Sequence, residues 1–149
     1  MANKMTYELS DKLFAQLQNE SLVLLHTIDS KHGHPTSSAI SWIYAPDRTT
    51  LRFALDKRSQ ICENISRNAS VTFSLFGDEK VHAVYGKARM ASEAMEGVPF
   101  KMVCMEVTID SIKDAMFYGS RMMVQPEFEK TYDQRAAEKL DNQVFSAMK

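Results

Sequence analysis

Three groups of residues in this chain have types and spacings that could do chemistry. His32-Gly33-His34 places two imidazoles in a turn marked by its Gly and by the Pro35 that follows. Zinc or iron needs a third ligand at a recognisable spacing, and none is seen, so the expectation is a solvated turn and no metal. Lys57, Arg58 and Ser59 put two cations and a hydroxyl just ahead of a helical stretch. On residue types alone that is a solvated helix start with a serine cap. Cys62 and Cys104 lie 42 residues apart without a Cys-x-x-Cys pair, which suits a reducing compartment where thiols act as small buried hydrophobes without a disulfide. His26 and His82 fall in strand-like stretches, where a hydrogen-bonded structural histidine is the usual case.

Absent motifs narrow the chemistry further. The chain has no Gly-x-Gly-x-x-Gly, no Gly-x-x-x-x-Gly-Lys-Ser/Thr, no Gly-x-Ser-x-Gly and no His-Glu-x-x-His, so dinucleotide-fold, P-loop, serine-hydrolase and zincin readings fall. Eighteen Lys and Arg against 19 Asp and Glu leave a formal charge of −1, which supplies no general drive toward nucleic acid or anionic membrane. The longest apolar runs are four residues, far below the roughly 20 that span a bilayer. The first residues lack a basic region followed by an apolar stretch, so a cytoplasmic protein is expected.

The elements that must position these residues follow from periodicity. A length of 149 residues, 44% of them apolar, with five Gly and four Pro, predicts one continuous domain over residues 1–149. Ser10 caps a short helix whose Leu13, Phe14 and Leu17 share a face, with Leu9 as a staple. Residues 21–29 are apolar on both faces and read as a buried, central strand. Residues 36–45 alternate Ile40, Trp42 and Tyr44 with small residues, and after a turn at Pro46-Asp47-Arg48 they form a hairpin with Leu51, Phe53 and Leu55. Residues 58–68 change to a helical period through Ile61 and Ile65, with Ser59 as cap. Val71, Phe73 and Leu75, then Val84, Gly86, Ala88 and Met90, make a second hairpin around Gly77-Asp78-Glu79-Lys80, and Val103 to Ile109 a sixth strand. From Pro126 onward Phe128 and Tyr132, then Ala136, Leu140, Val144 and Met148, recur at four-residue spacing, predicting a helical tail over about 126–149. The fold expected is mainly β, of the α+β kind: a six-stranded antiparallel barrel flanked by helices.

Specific segments within this order of parts resemble the FMN-binding split-barrel family typified by pyridoxamine 5'-phosphate oxidase. They are the hairpin Ala39-Ile-Ser-Trp-Ile-Tyr-Ala-Pro-Asp47 into Leu51-Arg-Phe-Ala54, the run Arg58-Ser-Gln-Ile-Cys-Glu-Asn-Ile65, and Val84-Tyr-Gly-Lys-Ala88. The resemblance covers roughly residues 10–112, and the short length is similar to the small general-stress branch of the family. It implies a six-stranded split barrel, FMN as cofactor and a homodimer with the flavin site between subunits. The flavin ring edge would meet the backbone of Ile40, Ser41 and Trp42, while Ala54 and Leu55 would flank the ribityl chain and phosphate. Arg58, Ser59 and Gln60 would hold the phosphate at a helix start, where unpaired N–H groups and the dipole favour an anion. Ser59 matches the family serine. Gln60 and Ile61 stand where the family commonly has basic residues, leaving Arg58, rather than Lys57, to supply the charge. Tyr44 replaces a lysine that the vitamin B6 oxidases use for substrate phosphate, and their C-terminal Trp/Arg signature is missing.

The function implied is a flavin-dependent oxidoreductase acting on a small organic substrate, with FMN performing the redox chemistry, so no catalytic side chain need be visible. Apolar segments at Met116-Phe-Tyr-Gly119 and Met122-Met-Val124 are candidates for the dimer contact. The alternative is a non-catalytic module binding flavin or haem on the same barrel, which Ile61 favours. A barrel for single-stranded nucleic acid would need an aromatic platform in a basic groove, and neither neutral charge nor aliphatic strands suit it.

Overall fold

The computed structural model describes residues 4–149. Its elements are β1 (Met5–Thr6), α1 (Asp11–Gln16), β2 (Val23–Ile28), β3 (Pro35–Ile40), β4 (Ile43–Asp47), β5 (Thr50–Asp56), α2 (Gln60–Arg67), β6 (Ser70–Gly77), β7 (Lys80–Ser92), β8 (Met102–Asp114) and α3 (Gln134–Met148). Every strand pairing is antiparallel, in the order β3-β2-β6-β7-β8-β5-β4, with β1 added to β8. β3 and β4 are the two ends of that path, yet only Ser41 and Trp42 separate them in the chain. The sheet must therefore curl until its ends meet, and the gap between them is the split of a split barrel.

This geometry corrects the reading of residues 36–45 as one strand, and the described residues form eight strands where about six were expected. β3 pairs with β2 and β4 with β5, so one straight strand cannot serve both ends of the curl. The chain kinks between them, with Ile43 N–H donating to Ser41 O at 3.0 Å. The hairpin with β5 begins only at Ile43, and its reversal falls at Arg48-Thr49 rather than at Pro46.

Side chains of alternate residues fill the barrel. Val23, Leu25, Ile43, Leu51, Phe53, Phe73, Leu75, Val84, Val103 and Val107 are all buried, and the Phe53 and Phe73 rings meet edge to face at 5.6 Å, an arrangement the aromatic quadrupole favours. Leu9, Leu13 and Leu17 of the α1 region join this core, and Ser10 caps the helix by accepting from Leu13 N–H at 3.3 Å. β2 is not the central, doubly buried strand expected: it lies one place from the end of the sheet, and only Val23, Leu25 and Thr27 face the core. Its other face looks out of the barrel, where His26 bonds Ser37 and Ser74 on the flanking strands at 2.9 and 2.8 Å.

The tail is a second correction. The helix starts at Gln134, capped by Asp133, whose carboxylate accepts from Ala136 N–H at 3.0 Å. Residues 126–133 run without helix, and Phe128 and Tyr132 are exposed. Tertiary bonds outweigh helical spacing here, since Lys130 is tied across the fold to Glu20 and Gln125 to the carbonyl of Phe76. α3 packs on the outside of the barrel, where Val144 and Met148 bury against Ala54, Met95, Met102 and Cys104. Among the described residues no helix is long and apolar enough to cross a membrane.

Candidate functional site at the barrel split

The outer edges of β3 and β4 have no strand partner among the described residues. An open edge is a row of backbone donors and acceptors, and Ile40, Ser41 and Trp42 lie where the two edges converge. Trp42 O accepts from Ala54 N–H at 3.1 Å, which ties the split to β5. β5 runs directly toward α2, so one strand links Trp42, bonded at its Ala54, with the residues expected to hold a phosphate, which follow its Asp56 end. Ala54 and Leu55 occupy opposite faces of it: Ala54 is buried under α3, Leu55 in the barrel core. Only the backbone of Leu55 is thereby available to a ligand.

At the far end, Ser59 caps α2 by accepting from Ile61 N–H at 3.2 Å. The Arg58 side chain is 86% exposed and already paired with Asp56, through Nε to Oδ1 at 3.2 Å and Nη2 to Oδ2 at 3.1 Å. Those hydrogen bonds hold the Asp56 carboxyl below its ordinary value and raise the Arg58 guanidinium above its own. Gln60 turns away, donating to Ser30 Oγ at 3.0 Å and to Asn64 Oδ1 at 3.2 Å. Asn64 is the anchor of this corner: buried to 1% exposure, it donates to Thr27 Oγ1 at 3.0 Å and accepts from Ser30 N–H at 2.9 Å.

A polar network covers the split from the tail side. Ser41 donates to Glu20 at 2.6 Å, Trp42 Nε1 to Asp141 at 2.8 Å, and Lys130 Nζ to Glu20 at 2.8 Å and Asp141 at 3.1 Å. The Lys130 ammonium also sits 5.6 Å from the Trp42 ring centre, within cation–π range. Burial would lower the Lys130 pKa, but the bonds to Glu20 and Asp141 outweigh it and raise the value, so the lysine is held charged. The clefts of about 380 to 580 Å³ beside α3, beside α1 and beside the Gln125–Phe128 segment are lined by other residues than the eight predicted for the cofactor. The tail covers the Trp42 side chain through Asp141 and Lys130.

The pattern of the family described as Pyridoxamine 5'-phosphate oxidase matches residues 9–125, from the residue before the α1 cap into the segment after β8. The chain belongs to the pyridoxamine 5'-phosphate oxidase family. α3 lies beyond the matched region. Solved structures agree on the fold: a candidate pyridoxamine 5'-phosphate oxidase from Lactobacillus delbrueckii is 19% identical, with a TM-score of 0.61 over 75% of this chain and 98% of that one. General Stress Protein 26 from Bacillus anthracis is also 19% identical, with a TM-score of 0.55 over 64% and 84% of the two chains. An F420 reductase gives 19% identity and a TM-score of 0.56 over 66% and 93%. No curated protein matches by sequence.

Proteins of this family typically bind flavin. An open strand edge is chemistry that a flavin's hydrogen-bonding rim could use, and a helix start with a guanidinium nearby is chemistry that a phosphate could use. Glu20, Lys130 and Asp141 were not legible as part of this region, because 110 residues separate the first from the second. Only Asp141 of the three stands on a helix, so no shared period joined them in the sequence.

Proposed function

We propose that residues 1–149 form one FMN-binding split-barrel domain, acting as a cytoplasmic homodimeric oxidoreductase on a small organic substrate. The carrying observation is the bond from Ala54 N–H to Trp42 O, which aligns the edge at Ile40, Ser41 and Trp42 with the α2 start at Arg58 and Ser59. FMN bound there supplies hydride or electron transfer, and the protein binds and orients it. Arg58 would exchange Asp56 for the phosphate, Ser59 would donate its hydroxyl, and the Gln60 N–H at the start of α2, outside the Ser59 cap, would add to the cradle. Gln60 contributes its backbone, since its side chain is engaged elsewhere. Phe117, Tyr118, Met123 and Val124, all more than 75% exposed, offer the apolar surface for a second subunit.

Replacing Arg58 and Ser59 together by Ala is expected to weaken FMN binding at least about tenfold, the loss of roughly one charge-assisted hydrogen bond. Titration of absorbance or flavin fluorescence checks this, with circular dichroism to confirm the fold. Unchanged affinity sinks the site assignment. If two subunits build the pocket, affinity also falls as dilution separates the dimer.

One observation favours a second reading, in which the barrel binds flavin or haem without catalysis. Ile61 offers no cation at the second helical position, and Arg58 is already satisfied by Asp56. A flavin that binds but stays oxidised with every reductant offered supports this reading over the first.

A further inference from the structure

The turn between β2 and β3 assembles a donor set that includes none of the residues proposed for flavin and adjoins them through the Gln60–Ser30 bond. We propose that Asp29, His32 and His34 form a binding site for one divalent transition-metal ion of the zinc class. The two imidazoles were visible in sequence; the fold adds the carboxylate. Asp29 Oδ2 lies 2.7 Å from His32 Nδ1 and 4.0 Å from His34 Nε2, and the three donor atoms all fall within 4.8 Å of one another. Ligands at about 2.0–2.1 Å from a tetrahedral ion stand roughly 3.3 Å apart. The observed separations bracket that value, and both imidazoles are exposed side chains free to rotate from their stacked orientation until their ring nitrogens converge.

The loop that carries these groups is closed by its own backbone. Asp29 N–H donates to His34 O at 2.9 Å, and Gly33 N–H to Asp29 O at 2.8 Å. Gly33 sits at φ +77°, a left-handed conformation that glycine adopts without strain, and it brings the flanking rings into a parallel stack 5.6 Å apart. The carboxylate is buried while the imidazoles are 71% and 64% exposed, giving a fixed anionic base with two adjustable arms open to solvent. Among the described residues the ion-pair partners of Asp29 are these two histidines and no Lys or Arg. With neutral imidazoles the carboxylate therefore has no permanent counter-ion, and a divalent cation would provide one.

Two nitrogens and one oxygen select zinc, cobalt or nickel over calcium or magnesium, which prefer all-oxygen shells. The supporting shell is in place: backbone N–H of His32 holds Asp29 Oδ2 at 3.0 Å, and Ser30 is anchored to Asn64 at 2.9 Å. Three protein ligands leave at least one position open to water or another donor.

The test is calorimetric titration of the full untagged chain with zinc chloride, paired with cobalt chloride followed in the visible spectrum. One ion per chain is expected, with affinity reduced at least tenfold in His34→Ala and again in His32→Ala, and unchanged in His26→Ala, His82→Ala and Cys62→Ser. Because His34 is exposed, its removal leaves the fold intact, which circular dichroism verifies; Asp29→Asn then reports on the carboxylate. Absence of one-to-one binding overturns the proposal, as does binding that survives removal of both His32 and His34. Neither result bears on the flavin reading, which is scored by FMN titration of the metal-free chain.

Discussion

Gly86→Ala lowers the thermal midpoint by roughly 10 °C, the expected consequence of about 3 kcal/mol lost in a domain of this size. Gly86 lies in β7 at a register shift against β8. A Cβ there would stand 2.5 Å from Thr108 O and 2.6 Å from Val107 Cγ1, closer than real Cβ contacts allow. The nearer obstacle is backbone and the other is a fully buried valine methyl, neither of them a flexible side-chain end. β8 cannot retreat, because it is hydrogen-bonded to β7 on one edge and β5 on the other and its Val107 is fully buried in the core. The β7–β8 pair must open or the strand must slip. Since β8 supports β5, and β5 carries Ala54 and leads to Arg58, the same variant loses FMN affinity in step with its stability. Thermal unfolding by circular dichroism checks the first effect, and a midpoint within about 2 °C of the parent would refute the close approach.

Val144→Asp is the second large effect, and it acts locally. Val144 is fully buried between α3 and the outer face of the barrel, beside Met148. Full burial of one such side chain contributes about 1.5–3 kcal/mol, and a carboxylate at that position would lack a partner. An isolated helix of 15 residues is marginal in water, so α3 is expected to undock and melt while the barrel core, which it does not share, stays folded. Far-ultraviolet dichroism then loses the larger part of its helical signal, since α3 is longer than α1 and α2 together. The chain contains one tryptophan. Its indole donates to Asp141 on α3 and lies beside Lys130, so undocking shifts its emission to longer wavelength.

The consequence for ligand binding follows from competition for one surface. With α3 docked, Ala54 is buried and the Trp42 ring is held by the tail; a flavin ring that needs this face binds only to the fraction of molecules in which it is open. Releasing the tail removes that penalty, and FMN affinity is expected to rise at least about tenfold, equivalent to roughly 1.4 kcal/mol of docking free energy. A fall in affinity instead would make α3 a wall of the pocket and would displace the ring from this face.

Short-range signals were legible in the chain itself. Ser10 and Ser59 were readable as caps because a cap depends on two or three neighbouring residues, and both accept the expected helical N–H. Strand periods at Val71 to Leu75 and Val103 to Ile109 were readable because alternation is a property of the strand itself, and these residues face the core. Family membership was readable from segments in their order, and with it the split-barrel fold. The break at Ser41-Trp42 was not, because nothing local distinguishes one strand from two halves pairing at opposite ends of a curled sheet. Residues 126–133 were read as helix because spacing carries no information about Lys130 finding Glu20 across the fold. Asp29 was likewise invisible as a companion of His32 and His34, since only the closed loop around Gly33 turns their side chains toward it. Caps and alternating strands were thus legible because they depend on neighbours in the chain, whereas the donor set at the hairpin depends on the turn geometry around Gly33 and the cover on the split on contacts that exist only once the sheet has curled.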